Sequence, residues 1–236
     1  MSAIVKKIKT ELKQTGDDKI ARHSLRFFKT KKGEYGEGDR FLGIRVPVLR
    51  KIAEKYQNIS INDISELINS KYHEQRFFAV VIIINAFKKG NENIKKRIYE
   101  FYLNNTKFIN NWDIVDVSAS NIAGAYLEDK DKKPLYDLAL SKNLWKRRIA
   151  IVSTHHFIKK NNFKDAFNIS DMLLTDKEDL IHKAIGWTIR EVGKRSLETE
   201  EKFLKNRYKN MPRTMLRYAI EKFEENKRKK YLKGEI

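Results

Sequence analysis

The sequence contains no cysteine, which excludes disulfide bonds and thiolate metal ligands. Its longest apolar string, FFAVVIII at residues 77–84, is much too short to span a membrane, because a transmembrane helix needs about 20 apolar residues. The N-terminal MSAIVKKIKTELKQ lacks the apolar core and cleavage site of a signal peptide. We therefore expect a cytoplasmic protein with no membrane partner.

Metal-binding and common nucleophilic patterns are missing too. The five histidines show no His-x-x-x-His spacing, and no carboxylate cluster has ligand spacing, so we expect neither a metal nor another cofactor. No Ser/His/Asp arrangement is recognisable. The glycine-rich GEYGEG at residues 33–38 lacks the strand–helix context of a nucleotide-binding loop and predicts a flexible turn.

What is abundant is positive charge. The 236 residues include 50 Lys+Arg against 31 Asp+Glu, a formal net charge of +19, and residues 227–233 read KRKKYLK. Such a balance predicts a polyanionic partner, of which nucleic acid is the commonest. A ribosome-like or merely soluble basic protein is the alternative at this point.

The apolar pattern is helical. Only three prolines occur, and apolar residues recur at steps of three and four, as in Ile61, Ile64, Leu67 and Ile68. Alternation at two-residue steps over strand lengths is scarce. The sequence therefore predicts an all-α fold.

A repeat of about 35 residues adds organisation to these helices. Similar strings open at Ser70, Thr106, Ser141 and Asp176, at spacings of 36, 35 and 35 residues. Residues of these types cap helix N-termini, so a helix should begin near each opening. Two helices per unit predict a HEAT-like repeat α-solenoid, an α-α superhelix with a concave basic face. We expect one domain over residues 1–236, with a basic tail at about 226–236.

Counting from each opening residue as zero places several polar and aromatic residues together. Offset six holds Arg76, Trp112, Arg147 and His182, and offset seven holds Phe77, Asp113, Arg148 and Lys183. Offsets ten and eleven bring Asp116 and Trp187. At about 100° per residue these offsets share an arc of roughly 140°. If the helices stack in parallel, Trp112, Asp116, Arg148 and Trp187 point to one wall of the solenoid.

Each of these residues also has a structural interpretation. Trp112 and Trp187 could be core residues, as most tryptophans at helical spacing are. Asp113 lies early in its helix, where a carboxylate favours the positive end of the dipole. Asp116 lies one turn further along, and an ion pair with Arg148 could explain it.

An aspartate on a DNA-binding surface repels phosphate unless a cation comes to it. N-glycosidic cleavage supplies one, because the sugar becomes oxocarbenium-like as the base departs. A carboxylate can stabilise that charge, and aromatic faces attract cations. Cationic side chains on the same surface would bind phosphates; the candidates are Arg147, Arg148, Lys183, Arg190 and Arg217.

Four motifs resemble the AlkD family of DNA alkylation repair glycosylases: FLGIRVPVLRKI at 41–52, WDIVD at 112–116, LWKRRIA at 144–150 and HKAIGWTIRE at 182–191. The likeness runs from about residue 20 to 225. It implies a HEAT-like solenoid that removes N3- and N7-alkylated purines from double-stranded DNA in base excision repair. It further implies a monofunctional glycosylase that uses no metal and does not flip the damaged base, and a protein that associates with the nucleoid through DNA.

By the same resemblance, Trp112 and Trp187 pack against the sugar of the lesion, Asp116 stabilises the cation and positions the water, and Arg148 holds a backbone phosphate. Two departures stand out: Asn111 replaces a second tryptophan found in the best-known member, and residues 29–40 look like an insertion.

Two other hypotheses remain at the level of sequence. One is a non-catalytic binder of distorted or branched DNA on the same scaffold, because some relatives carry inserted loops and have no glycosylase activity. The other is a HEAT-type adaptor that binds protein. We expect a monomer without an obligate protein partner, since a solenoid with capped ends needs none.

Overall fold

The computed structural model describes residues 1–236, and these residues form helices joined by turns. The predicted all-α fold is confirmed, with one isolated parallel bridge between Arg40 and Tyr72 as its nearest approach to a sheet. The α-helices are α1 (Ala3–Thr15), α2 (Asp18–Phe27), α3 (Val46–Glu54), α4 (Ile61–Ile68), α5 (His73–Lys89), α6 (Glu92–Asn104), α7 (Trp112–Ser118), α8 (Lys133–Ala139), α9 (Leu144–Ser153), α10 (His155–Ile158), α11 (Lys164–Met172), α12 (Asp179–Gly193), α13 (Leu197–Lys205), α14 (Arg213–Ala219) and α15 (Glu225–Lys233).

Shorter helical turns complete the chain: 3-10 turns at Thr106–Phe108 and Ile220–Lys222, and a π-helical turn at Ser120–Gly124. No helix combines the length and apolar character that crossing a membrane requires. The chain divides into two compact units, Met1–Ile114 and Val115–Ile236. Whether they act as the single domain expected from the sequence stays a prediction.

The first unit is built around α5. Its central run Phe77–Ile84 is apolar on every side, which is the pattern of a helix surrounded by protein, and each residue of the run is buried. Helices α3, α4 and α6 pack against it. The string that was too short for a membrane is therefore the core helix of this unit.

The second unit is built around α12, which contacts α9, α13 and α14. Gly186 of α12 lies so close to α14 that a Cβ at this position would collide with the Met215 carbonyl oxygen. Trp145 is buried in the core of this unit.

The 35-residue repeat is visible in the local structure, although its opening residues are not helix caps. Helices begin at His73, Trp112, Leu144 and Asp179, three to six residues after the openings. Three opening side chains accept the backbone N–H two residues ahead: Ser70 from Tyr72 at 3.0 Å, Ser141 from Asn143 at 3.2 Å and Asp176 from Glu178 at 2.9 Å. These short side chains thus form the turn that precedes each helix.

The residue at offset six has the same structural role in three of the four repeats. Its side chain donates to the carbonyl of the opening residue: Arg76 to Ser70 at 3.0 Å, Arg147 to Ser141 at 3.0 Å and His182 to Asp176 at 2.5 Å. The repeat that opens at Thr106 differs, because the N–H of Ile109, directly after its 3-10 turn, donates to the Thr106 carbonyl at 3.2 Å. Because a backbone N–H already donates to that carbonyl, no side-chain donor is needed at offset six. The position can therefore hold Trp112.

Candidate functional site

Helix α7 carries two of the predicted site residues. Trp112 is its first residue and belongs to the first unit, whereas Asp116 lies one turn further and belongs to the second.

In the second unit, Asp116 and Arg148 form a bidentate ion pair. Arg148 Nε donates to Asp116 Oδ1 and Nη2 donates to Oδ2, both at 2.8 Å. A third donor, Nη1, reaches the Leu180 carbonyl at the start of α12 at 2.5 Å. The Arg148 side chain is only 6% exposed and that of Asp116 18% exposed, so the Asp116 side chain keeps some contact with solvent.

Close packing behind the ion pair fixes the two helices that carry it. After α7, the π-helical turn brings Gly124 so near α9 that a Cβ would collide with the Ser153 carbonyl oxygen. The Ser153 hydroxyl is buried and lies 3.3 Å from the Ala119 carbonyl. Because both contacts involve buried groups of fixed geometry, the backbone that follows Asp116 and Arg148 has little freedom.

Trp187 is half-buried on α12, and its indole N–H donates to Glu191 Oε1 at 3.0 Å. The ring of His155 meets it edge to face, with centroids 4.3 Å apart and planes at 84°. Since the Thr188 hydroxyl donates to the Ala184 carbonyl, His155 Nε2 is the donor in its 2.9 Å bond to Thr188 Oγ1.

His155 is neutral at ordinary pH. Burial is the main cause and, together with the cations Lys159, Arg148 and Lys194, lowers the pKa of His155 to about 3 against the opposing effect of Glu191. A neutral ring places no positive charge beside Trp187, so the indole keeps its ability to attract a cation.

In the first unit, Trp112 belongs to an aromatic cluster that sequence reasoning missed. It stacks on Phe28 with centroids 5.4 Å apart and meets Phe27 edge to face at 5.8 Å. Phe27 is 55% exposed, a large value for an aromatic side chain. The local signal was the pair of phenylalanines between Arg26 and Lys29, but nothing in the sequence linked it to a tryptophan 84 residues later.

A buried charged network lies beside this cluster and was also missed. His73 Nε2 is 2.8 Å from Asp113 Oδ2, and its Nδ1 is 3.5 Å from Asp39 Oδ2. Arg76 Nη2 donates to the other Asp39 oxygen at 2.7 Å. Burial opposes charge on His73, but Asp113 and Asp39 outweigh it and raise the pKa of His73 to about 9. Asp113, predicted as a helix-start residue, thus also binds an imidazolium.

The two departures from the AlkD pattern lie next to this network. Asn111 is fully buried and donates to Asp39 at 3.4 Å, while its side-chain oxygen accepts the Trp112 N–H at 2.8 Å. Residues 29–40 form turns with Gly33 and Gly38 at positive φ. The chain that follows is fastened by Glu74, whose carboxylate accepts the N–H groups of residues 42, 43 and 44.

The predicted DNA-binding cations differ in their surroundings. The Arg147 guanidinium is bonded within the protein: it donates to the Ser141 and Lys142 carbonyls and pairs with Asp176, 2.6 Å from its Nε. Lys183 pairs with Asp179 at 2.8 Å and remains 37% exposed. Arg190 pairs with Glu221, and Arg217 is exposed on α14.

The structure brings together Asp116 and Arg148 from the predicted site. Trp187 is placed against His155, and Trp112 against the phenylalanines; a wall shared by all four stays a prediction. Both tryptophans are half-buried, whereas Trp145 is the buried one. The structure contains no group of three or more His, Asp or Glu side chains placed to hold a metal ion.

The sequence profile of the family described as DNA alkylation repair enzyme matches residues 8–223, nearly the whole chain. The chain belongs to this family. Its role is therefore in DNA alkylation repair, and DNA is its binding partner. The resemblance stated from the motifs is confirmed, and a role as a protein-binding adaptor has no support from this family.

Solved structures show the same helical fold. A protein from Enterococcus faecalis, described as a predicted DNA alkylation repair enzyme, superposes with a TM-score of 0.68 at 16% identity over 89% of this chain and 98% of its own. AlkD2 from Streptococcus mutans has a TM-score of 0.53 at 19% identity, with 94% and 99% of the two chains covered. No curated protein matches the sequence.

Proposed function

We propose that this DNA alkylation repair enzyme is a monofunctional glycosylase that hydrolyses the N-glycosidic bond of N3- and N7-alkylated purines in double-stranded DNA, without base flipping. The observation that carries the proposal is the Asp116 carboxylate, held by two hydrogen bonds to Arg148 on a side chain that is 18% exposed. A fixed carboxylate in a chain of net charge +19 is suited to a cation.

The chemistry requires little proton transfer. A purine alkylated on a ring nitrogen is already positively charged, so the electrons of the C1′–N bond pass to the base and it leaves neutral. The sugar takes on oxocarbenium character, water adds to C1′, and one proton is released to solvent. Asp116 stabilises the developing positive charge and orients the water.

The surrounding residues divide the remaining work. Trp112 and Trp187 offer half-buried indoles that pack against the sugar and favour its positive charge. Arg148 has its three kinds of donor nitrogen directed at Asp116 and Leu180. We therefore assign it to holding the carboxylate, in place of the phosphate contact that the AlkD resemblance implies. Phosphates are left to more exposed cations, Lys183 and Arg217.

Release of 7-methylguanine or 3-methyladenine from methylated DNA tests the proposal. We expect the wild type to release both and Asp116→Asn to lose about 10²- to 10³-fold in single-turnover rate, because an electrostatic contact to the transition state is removed. Chromatography of the freed base is the measurement.

Asp176→Asn is the matched control. It breaks a second arginine–aspartate pair in the same unit, where Arg147 and Asp176 are 14% and 6% exposed. We expect Asp176→Asn to lose about as much stability as Asp116→Asn but to retain excision of the alkylated base. Equal losses in the two variants would reduce Asp116 to a structural residue, and no release by the wild type would end the glycosylase proposal.

A non-catalytic binder of distorted or branched DNA is the second candidate. The observation in its favour is the turn-rich segment 29–40. This segment follows the exposed Phe27 and precedes residues 42–44, whose N–H groups donate to Glu74. Tight binding of a DNA junction together with no base release from methylated duplex would favour it.

A further inference from the structure

The strongest feature outside the proposed reaction is the buried network around His73 in the first unit. Asp39 from the segment before α3, Arg76 from α5 and Asp113 from α7 all surround this imidazole, and the side chains of His73 and Asp39 are 4% and 5% exposed. The glycosylase chemistry does not use any of these groups. A buried charged cluster of this size needs an explanation, because taking charges out of water is costly.

We propose that His73 is a positioning residue: as a buried cation between Asp39 and Asp113, it fixes the first turn of α7 and thereby the orientation of Trp112. The proposal rests on the proposed function for its effect on excision, since it assigns Trp112 to the substrate. Its structural part, the control of the Trp112 indole, can be tested separately.

Two routes connect His73 with the indole. The first is covalent, because Asp113 follows Trp112 directly and its Oδ2 lies 2.8 Å from His73 Nε2. The second passes through rings: His73 packs on Phe28 with centroids 4.9 Å apart, and Phe28 stacks on Trp112 at 5.4 Å. Phe41 covers His73 as well, at 4.9 Å. A change at His73 therefore reaches Trp112 through its backbone and through its stacking partner.

Charge balance explains why a cation is needed there. Asp39 and Asp113 supply two negative charges, and Arg76, which donates to Asp39, supplies one positive charge. Without a charge on His73 the cluster would bury an uncompensated carboxylate, which is strongly unfavourable. Histidine also has the right shape, because its two ring nitrogens point in different directions and can each face one carboxylate.

The start of α7 depends on this contact more than the starts of the other repeat helices do. In three repeats the side chain at offset six donates to the carbonyl of the preceding turn and so holds the start of the helix. In the repeat that opens at Thr106, offset six is Trp112, and the indole makes no such bond to that turn. The pair His73–Asp113 holds the same turn of the helix from the side, and leaves the indole available.

The test is ¹⁹F NMR of protein labelled with 5-fluorotryptophan, with the three resonances assigned by Trp→Phe substitution. We expect His73→Gln, which keeps a hydrogen-bond donor and loses the charge, to shift the Trp112 resonance and leave that of Trp187 in place. Single-turnover excision should fall roughly 10- to 100-fold through misplacement of a substrate-positioning group, with DNA affinity changed less than about threefold.

His156→Gln is the matched control, because His156 also pairs with a carboxylate, Glu128, at 2.9 Å. It should change neither the Trp112 resonance nor excision. An unmoved Trp112 resonance in folded His73→Gln protein, or an equal effect of the control, overturns the proposal. If the wild type releases no base, the glycosylase function fails, yet a shifted Trp112 resonance would still support the positioning role.

A titration of the wild type guards against a variant that does not fold. The pKa of His73 is raised to about 9, so the imidazolium is lost as pH rises through that value. The charged groups that face it are Asp39, Asp113 and Arg76. The Trp112 resonance should therefore move between pH 7 and 10. A resonance that stays constant over this range contradicts the proposal.

Discussion

Two buried histidines of this protein have opposite charge states because their neighbours differ. His73 lies between two aspartates, and its pKa is raised to about 9 despite burial. His155 donates to a threonine hydroxyl, with no carboxylate bonded to its ring, and burial with nearby cations lowers its pKa to about 3. One ring therefore stays charged against Phe28, the stacking partner of Trp112, and the other stays neutral against Trp187. The same residue type serves two tryptophans in different ways.

The neutral state of His155 predicts acid sensitivity. Its folded pKa lies below the unfolded value near 6.5, so the unfolded chain binds a proton first as pH falls. Its contribution to stability is complete above pH 6.5 and is lost as pH decreases toward 3, by about 1.4 kcal/mol per pH unit. Between pH 7.5 and 5.5 the free energy of unfolding should fall by about 1 kcal/mol more in the wild type than in His155→Phe. Urea denaturation at both pH values measures the difference, and identical losses would contradict it.

Asp116 shows what sequence could and could not establish at the scale of a residue. The offset count put it near Arg148, and the structure joins them at 2.8 Å. The count also placed Arg147 among DNA-binding residues, yet its guanidinium bonds Asp176 and two carbonyls. Adjacent arginines on a helix point about 100° apart, so one reaches α7 and its neighbour reaches the next repeat opening. The repeat period alone does not distinguish these two roles.

At the scale of helices, periodicity predicted the elements well and their starting residues poorly. Apolar steps of three and four identified the helices because one face of each packs on a core. The predicted capping residues were wrong in role: Ser70, Ser141 and Asp176 form the turn before the helix. Short polar side chains bind N–H groups two residues ahead as readily as they cap a helix, so composition alone could not decide between these.

Helix α12 offers a test of DNA binding by a single face. Lys183 is 37% exposed and pairs with Asp179 four residues earlier. We expect Lys183→Ala to weaken binding to any duplex and to reduce the slope of log K against log salt by about 0.9, the value for one lost phosphate contact. Fluorescence anisotropy at several salt concentrations measures this slope.

Lys133→Ala is the matched control for that test. Lys133 also pairs with an aspartate four residues away, Asp137 at 2.6 Å, and is 70% exposed on α8. It has the same chemistry on a helix that carries no predicted site residue. An unchanged salt slope in Lys183→Ala, or an equal reduction in both variants, would remove Lys183 from the DNA interface.

At the scale of the whole molecule, the contacts that sequence could not predict are those between distant segments. Phe28 and Trp112 are far apart in the chain, as are Glu74 and the N–H groups of residues 42–44 that it binds. A helical period gives the direction of a side chain on its own helix but not its distant partner. The net charge of +19 was a better guide at this scale, because DNA binding depends on summed charge more than on the details of packing.

The 3-10 turn at Thr106–Phe108 determines whether a tryptophan like Trp112 can be placed at the same position of another repeat. A tryptophan introduced at Arg147 would leave the Ser141 carbonyl without its side-chain donor, because that opening lacks the equivalent turn. We expect Arg147→Trp to cost about 1–3 kcal/mol in unfolding free energy from this loss alone. Urea denaturation would show it, and a neutral change would contradict the interpretation. Giving another repeat a Trp112-like indole therefore requires at least two coordinated changes, a new turn and a new side chain, and a single substitution would bring only the loss.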